Sequence, residues 1–195
     1  MMQTPPDRTQ LAPSAAQIWL ASDRMTQLVI EHLDPALWQA KPPGNTRPIA
    51  AIVTHMHNVR AKWIRLSAPH LGVPAQLNRA RITPQQAQAA LAESAALCGR
   101  MLTDAMSGDG EVQYFRRDAL AKPWPVAGAG GLQMLSYMLT HEAHHRGQIC
   151  MVAHQLGCPL PGKVTARLWN WDALEGGVIP QGLKPGRFDW LYRHD

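Results

Sequence analysis

The sequence predicts an all-α protein: a four-helix bundle followed by an irregular carboxyl-terminal tail. Four long segments repeat apolar residues at three- and four-residue steps, and no run of residues reads convincingly as a strand. Of the 195 residues, 46% are hydrophobic and 17% are charged, which is enough apolar material for a full core. We expect one domain over residues 1–195, with the bundle at about 12–157 and an extension at 158–195 packed on it.

Proline-containing loops bound the first two helices. The apolar periodicity predicts a helix from Ser14 to about Leu33, and the proline- and glycine-containing stretch 34–45 ends it. A second helix starts near Pro48, because proline suits the first helical position, and it runs to about Leu66.

The last two helices are separated by a longer connection. A capping box at Thr83–Gln86 predicts the start of a helix that continues to about Met106. Residues 107–130 connect it to a fourth helix, and an extended piece fits within 111–120. The fourth helix is predicted from Leu132 to Leu156, where Gly157 would end it. The connections leave the order of up and down helices open.

The tail from Cys158 is rich in Gly, Pro and Trp, with a short helix predicted at about 164–174.

Other features of the sequence exclude several classes of protein. No apolar run approaches the roughly 18 residues of a membrane-spanning helix, and the amino terminus does not read as a secretory signal. Three irregularly spaced cysteines form neither a disulfide framework nor a CxxC site, so we expect a reducing cytoplasm.

The net charge of +5 does not indicate a nucleic-acid-binding protein. The 19 Lys and Arg residues are scattered along the chain, and no known nucleic-acid-binding module accompanies them. We therefore expect neither DNA nor RNA as a partner.

A histidine pair on the fourth helix is the main chemical feature. His141 and His145 are four residues apart, about 40° in helical projection, so both can face one ion; His141 and His144 could also converge. The helix's own pattern favours the first pair, because His145 and His141 share an apolar stripe, whereas His144 lies about 100° away. The residues within that stripe are Met134, Met138, Ile149, Val152 and Leu156. Buried imidazoles need partners, and a metal ion would satisfy both.

A third ligand is expected from a facing helix. On the second helix His55 lies at the edge of the apolar face, whereas His57 projects away from it, so His55 is preferred. Three neutral imidazoles leave a coordination position open, which is the catalytic pattern. The alternative is a metal-free bundle with hydrogen-bonded core histidines. Glu142 is a conceivable general base at about 60° from the stripe centre, but no carboxylate is placed well enough to be named catalytic.

Two segments resemble one known family. The segment from His141 to Ile149 reads HEAHHRGQI and resembles the H-x-x-x-H-R-G-Q motif of the DinB (damage-inducible, YfiT-like) superfamily. The segment from Ile49 to Trp63 is similar to that family's second-helix signature, in which a histidine follows an apolar turn and an aromatic residue follows about eight residues later. The resemblance covers roughly residues 12–157, with the motifs in the right order.

The resemblance implies a four-helix bundle, commonly dimeric, that holds a divalent metal ion, zinc or nickel, on His55, His141 and His145. It implies a metal-dependent hydrolase or a thiol-dependent transferase or isomerase. His57 and His144 are additional histidines, either near the ligands or plain flanking positions, and the helical projection favours flanking. Arg146 and Gln148 belong to the motif and either support the metal helix or form a solvated face.

Together these arguments predict a metal-dependent enzyme that uses the open position for water or a low-molecular-weight thiol and acts on a small-molecule substrate. The alternative is a non-catalytic metal-binding stress or interaction protein. We also expect a homodimer, from the resemblance alone.

Overall fold

A computed structural model describes residues 8–107 and 110–169, and most of these residues are helical. Four long helices form a bundle, so the predicted all-α class is confirmed. The elements in chain order are α1 (Arg8–Glu31), α2 (Ile49–Ser67), α3 (Pro84–Met106), β1 (Tyr114–Phe115), β2 (Trp124–Pro125), α4 (Gly130–Gln155) and α5 (Gly162–Arg167). Single 3-10 turns lie at Pro35–Leu37 and Pro69–Leu71. None of the helices in the described ranges has the length and apolarity needed to cross a membrane.

The helix ends agree closely with their predicted signals, except at the start of α1. Thr83 Oγ1 accepts the N–H of Gln86, and the Gln86 side chain accepts the N–H of Thr83, so the capping box is formed. Gly157 has φ of 79°, the left-handed conformation that ends a helix. Helix α1 is already helical at Arg8, before the expected start at Ser14, and it contains Pro13, which removes one intrahelical hydrogen bond near its amino end.

The connection between α3 and α4 contains the extended piece that the sequence predicted. Strand β1 pairs antiparallel with β2, and Phe115 of β1 is fully buried against the bundle. After α4, the short helix α5 buries Val164. The predicted helix at 164–174 therefore starts slightly earlier and ends at Arg167, and the rest of the predicted tail, 170–195, lies outside the described residues.

The helices pack in the cyclic order α1, α3, α2, α4, which places α1 and α2 on one diagonal and α3 and α4 on the other. One apolar cluster contains the first half of α1 and α4 and the second half of α2 and α3; the other cluster contains the opposite halves. Helices α1 and α4 therefore run in one direction and α2 and α3 in the other. The topology is up-down-down-up.

Because α2 and α3 are parallel neighbours, the chain between them must return along the whole bundle. Helix α2 has 19 residues, about 28 Å, and the connection 68–83 can span that distance in extended form. This crossover segment is held to α2 by two side chains. His57 Nε2 lies 2.9 Å from the carbonyl oxygen of Ala75, and Asn58 exchanges two hydrogen bonds with the backbone of Leu77.

Candidate metal centre

A layer of buried polar side chains lies between the two apolar clusters. All four long helices contribute to this layer, so it crosses the bundle at mid-height. Such groups are costly to bury without partners, and their partners therefore indicate what the layer does. The buried polar residues are Ser22, Asp23, Thr26, Gln27, Thr54, His57, Arg60, Ser94, Glu142 and His145.

Three histidines converge at one side of this layer. His55 comes from α2, and His141 and His145 come from α4, which runs antiparallel to α2. One ring nitrogen from each residue lies within 4.8 Å of the other two. The ring centroid of His55 is 5.6 Å from that of His141 and 4.7 Å from that of His145. The centroids of the two α4 rings are 4.5 Å apart. The structure thus brings together the three residues that the sequence predicted as ligands.

Hydrogen bonding and burial favour the neutral, metal-binding form of two of these histidines, His55 and His145. The Nδ1 atom of His145 lies 2.7 Å from Gln148 Oε1, an acceptor, so Nδ1 carries the proton and Nε2 keeps its lone pair. Burial, opposed by the Gln148 hydrogen bond, lowers the pKa of His145. Burial, together with the neighbouring histidines and cations, lowers the pKa of His55 to about 4.

His141 has a buried nitrogen without a partner. Its Nδ1 atom makes no hydrogen bond with the described residues, and the nearest carboxylate oxygen, Glu142 Oε1, is 3.6 Å away, too far for one. Its ring also packs against Trp63, with centroids 5.1 Å apart. A set of three imidazoles, one with a free buried nitrogen, fits zinc or nickel, because neutral imidazole suits both ions.

Behind His141 lies a buried charged network that the sequence analysis did not identify. Arg60 of α2 is fully buried and donates two hydrogen bonds to Glu142, at 3.2 and 2.6 Å. It also donates to Asp23 of α1 at 2.7 Å and to the carbonyl oxygen of Leu91 of α3 at 2.9 Å. The guanidinium carbon lies 5.0 Å from the centre of a Trp19 ring. One arginine therefore joins all four helices.

The electrostatics of this Arg60 network keep Glu142 ionised. Burial alone would raise the pKa of Glu142, but the charge and hydrogen bonds of Arg60, together with the neighbouring His141, outweigh burial and lower the pKa to about 2. Burial likewise opposes the charge on Arg60, whose pKa is nonetheless raised by Glu142 and Asp23. Both carboxylate oxygens of Glu142 contact the guanidinium, and its side chain is fully buried. This favours a positioning role beside His141 over the general-base role considered from the sequence.

The expectation that His57 is a plain flanking residue is wrong. Its side chain is fully buried, with Nδ1 2.9 Å from the Ala90 carbonyl oxygen and 3.2 Å from Ser94 Oγ, and Nε2 2.9 Å from the Ala75 carbonyl oxygen. The projection placed His57 off the apolar face of α2, but α3 and the crossover segment cover that side. His144 is exposed, as expected for a flanking residue, and its ring centroid lies 4.9 Å from that of His145.

The two other motif residues support the α4 helix. Arg146 donates hydrogen bonds to the Ser22 carbonyl and to Thr26 Oγ1, which join α4 to α1. Gln148 is exposed, yet its side chain orients His145. Of the two interpretations left open by the sequence, these contacts favour support of the helix.

A cavity of about 530 Å³ opens beside the histidine cluster. His55 and His145 line its inner end, and His144 and Gln148 lie next to them. The residues at its other end, Asn45, Thr46 and Arg47, precede α2 and were not identified from the sequence. Loop residues carry no periodicity, so only the helix packing reveals that they face the cluster. The volume is in the range of small-molecule sites.

A comparison with known proteins identifies the family of this chain. The family model described as "DinB family" matches residues 2–173, which extends beyond the expected 12–157 at both ends and covers all four helices. No curated protein matches the chain, and no solved structure does. The family model covers far more than half of the sequence, and the chain belongs to the DinB family.

Proposed function

We propose that this protein is a metal-dependent enzyme in which His55, His141 and His145 hold one divalent ion, zinc or nickel, with a coordination position open to a substrate. The reaction is of the hydrolase or thiol S-transferase type, on a small-molecule substrate, with water or a low-molecular-weight thiol as the nucleophile. The observation that carries the proposal is the convergence of three imidazole nitrogens within 4.8 Å, two of them from residues, His55 and His145, that line an open cavity.

The chain's own residues prepare this site. Gln148 holds His145 in the tautomer with Nε2 free, and burial keeps His55 neutral. The Arg60 network holds Glu142 beside His141. A bound ion supplies Lewis acidity, which favours deprotonation of water or a thiol at neutral pH. The cavity walls then orient the substrate against the nucleophile.

The alternative, a non-catalytic metal-binding stress or interaction protein, requires the same histidines but no substrate cavity. The cavity of about 530 Å³ beside them favours the enzyme, because a purely structural metal site is closed by a fourth protein ligand. The described residues that could hold a metal are the three histidines alone, which leaves room for an exchangeable ligand.

The test is metal content measured by mass spectrometry on untagged protein. We expect about one zinc or nickel per chain, lost in His55→Ala, His141→Ala and His145→Ala. The matched control is His154→Ala, an exposed histidine on the same helix, which should keep the metal. Failure of the wild type to bind zinc or nickel, even after reconstitution, would refute the proposal. Retention of the ion by all three variants would place the metal elsewhere.

Three further proposals follow from the sequence and the family resemblance. We propose that residues 1–195 form a single domain, that two copies form a homodimer, and that the protein acts in the cytoplasm. Light scattering of the purified protein measures its oligomeric state directly, and a mass near 21.5 kDa would contradict the homodimer.

A further inference from the structure

The cavity beside the histidine cluster is long and differs in character along its length. From His145 to Gln155 it follows α4 over ten residues, about 15 Å of helix. Apolar side chains line the middle: Ile52 of α2 and Met151 and Val152 of α4. The inner end is formed by histidines, and the outer end by the polar residues before α2. The site therefore offers three different environments to one elongated ligand.

The described residues of the cavity lining carry positive but no negative charge. None of the lining residues in the described part of the chain is Asp or Glu, and Arg47 carries its permanent positive charge. Arg47 is exposed and makes no ion pair or hydrogen bond through its side chain with the described residues. By contrast, Arg24, Arg60 and Arg146 all donate to partners within the bundle. The guanidinium of Arg47 is thus available to a ligand.

The position of Arg47 is set by the fold. It lies immediately before Pro48 and the first turn of α2, and it precedes His55 by eight positions. Because α2 and α4 are antiparallel, this end of α2 meets the carboxyl end of α4, and Asn45, Thr46 and Gln155 flank the arginine there.

We propose that the outer end of the cavity binds an oxyanion group of the substrate, a carboxylate or a phosphate, through Arg47. The apolar middle would hold a short alkyl or similar segment, and the reacting group would lie at the histidine cluster. The substrate class is then a small organic anion whose charged group lies several atoms from the bond that reacts. This inference rests on the proposed function for the role of the inner end. Guanidinium binding of carboxylate or phosphate is charge-assisted and is absent for a neutral amide.

The experiment uses cobalt(II)-substituted protein and probes that address both ends of the cavity. The probes are ω-mercaptoalkanoates of three to six carbons, their neutral amides, and mercaptoalkyl phosphates. The thiolate-to-cobalt absorption band reports binding at the histidines, and the difference between acid and amide reports the outer end. Arg47→Gln removes the charge, Arg47→Lys keeps it, and Arg65→Gln is the matched control, an exposed arginine at the other end of α2.

We expect the wild type to bind the best carboxylate at least about tenfold more tightly than its amide, as a charge-assisted hydrogen bond provides. This preference should fall below about threefold in Arg47→Gln, return in Arg47→Lys and persist in Arg65→Gln. An equal preference in wild type and Arg47→Gln overturns the inference. Comparison of the carboxylate with the phosphate of the same length shows which oxyanion the site prefers.

A second arm separates this inference from the proposed function. If the wild type binds no cobalt, the proposed function fails; in that case, and also if cobalt binds without a thiolate band, the outer end is tested in metal-free protein. Amide chemical shifts are then followed during titration with hexanoate and with hexanamide, neither of which carries a thiol. Saturable shifts with hexanoate alone, weakened several-fold in Arg47→Gln, support the oxyanion site. Equal shifts for the two compounds, or shifts unchanged by the substitution, overturn it.

Discussion

The Arg60 network and the histidine cluster lie side by side in one polar layer, but they differ in how their polar atoms are satisfied. Arg60 donates four hydrogen bonds to groups on three other helices, and the side chains of Arg60 and Glu142 are fully buried. In the histidine cluster, His55 and His145 line an open cavity, and the Nδ1 atom of His141 has no hydrogen-bond partner among the described residues. The polar atoms of the Arg60 network find their partners within the protein, whereas the histidine cluster keeps nitrogen lone pairs that have none in the described part of the chain.

This difference indicates a division of roles within the layer. A network whose donors and acceptors are all matched holds helices in register and gains nothing from a ligand. A cluster with unused lone pairs, facing a cavity, gains from an ion. Variants that remove or complete one group while leaving the other intact therefore separate these two roles.

Replacement of Arg60 by Met should give the largest loss of stability. It leaves Glu142 and Asp23 buried without their cation, which costs about 3–5 kcal/mol of unfolding free energy. Urea unfolding of the metal-free protein measures this. The control is Arg24→Met, which removes an exposed ion pair with Glu31 and should cost under about 1 kcal/mol. Equal losses in the two variants would show that the Arg60 network contributes no more than a surface ion pair.

Addition of zinc should stabilise the wild-type protein but not a variant that lacks one of the metal-binding histidines. With free zinc at a hundred times its Kd, the unfolding free energy should rise by about 2.7 kcal/mol, because the ion binds the folded state. The same titration with His145→Ala should give little or no gain. Thermal unfolding at several zinc concentrations measures both. Equal gains in the two proteins would mean that zinc binds outside the cluster.

Replacement of His57 by Ala should destabilise the protein without loss of metal. The variant removes the ring nitrogens that contact the carbonyl oxygens of Ala75 and Ala90, and it releases the crossover segment from α2, at a cost of about 2 kcal/mol. Urea unfolding and metal analysis are both required. His154→Ala, in the exposed part of α4, should change neither quantity. Loss of the ion from His57→Ala would show that His57, like His55, is needed for metal binding.

Replacement of Gln148 by Ala should weaken metal binding with little effect on folding. Gln148 is exposed, but it fixes the tautomer of His145, and the loss of such a partner costs at least about tenfold in metal affinity, or 1.4 kcal/mol. Competition with a chromophoric chelator measures the Kd. Gln155→Ala, at the other end of the same cavity, is the control and should leave the Kd unchanged. An unchanged Kd in both variants would mean that Gln148 does not orient the ligand.

The fold and the histidine cluster could be predicted because both depend on helical periodicity. The apolar stripe of α4 places His141 and His145 on the inner face whichever helices surround it, and Met134, Met138 and Ile149 of that stripe are fully buried. Local signals such as the Thr83 capping box likewise act within one turn of helix. The resemblance to the DinB family agreed with these local arguments, and the family model confirmed it.

The Arg60 network and the role of His57 could not be predicted in the same way, because they depend on which elements cover the second face of α2. A projection of one helix assumes one buried face, but α3 and the crossover segment bury another. A signal was nonetheless present in the sequence: the neighbours of Arg60 at three and four residues include Met56, Trp63 and Ile64, all fully buried. An arginine surrounded by such apolar residues on its own helix indicates a buried cation.

The up-down-down-up topology has a consequence for how quickly the chain folds. Helices that follow one another directly lie on a diagonal of the bundle, as α1 and α2 do, or are parallel and joined by a long crossover, as α2 and α3 are. Contacts such as Trp19 with Ala95 and Arg60 with Glu142 join residues 76 and 82 positions apart. The chain must close these long loops before helix pairs gain stability, so we expect slower folding than in bundles built from successive helical hairpins.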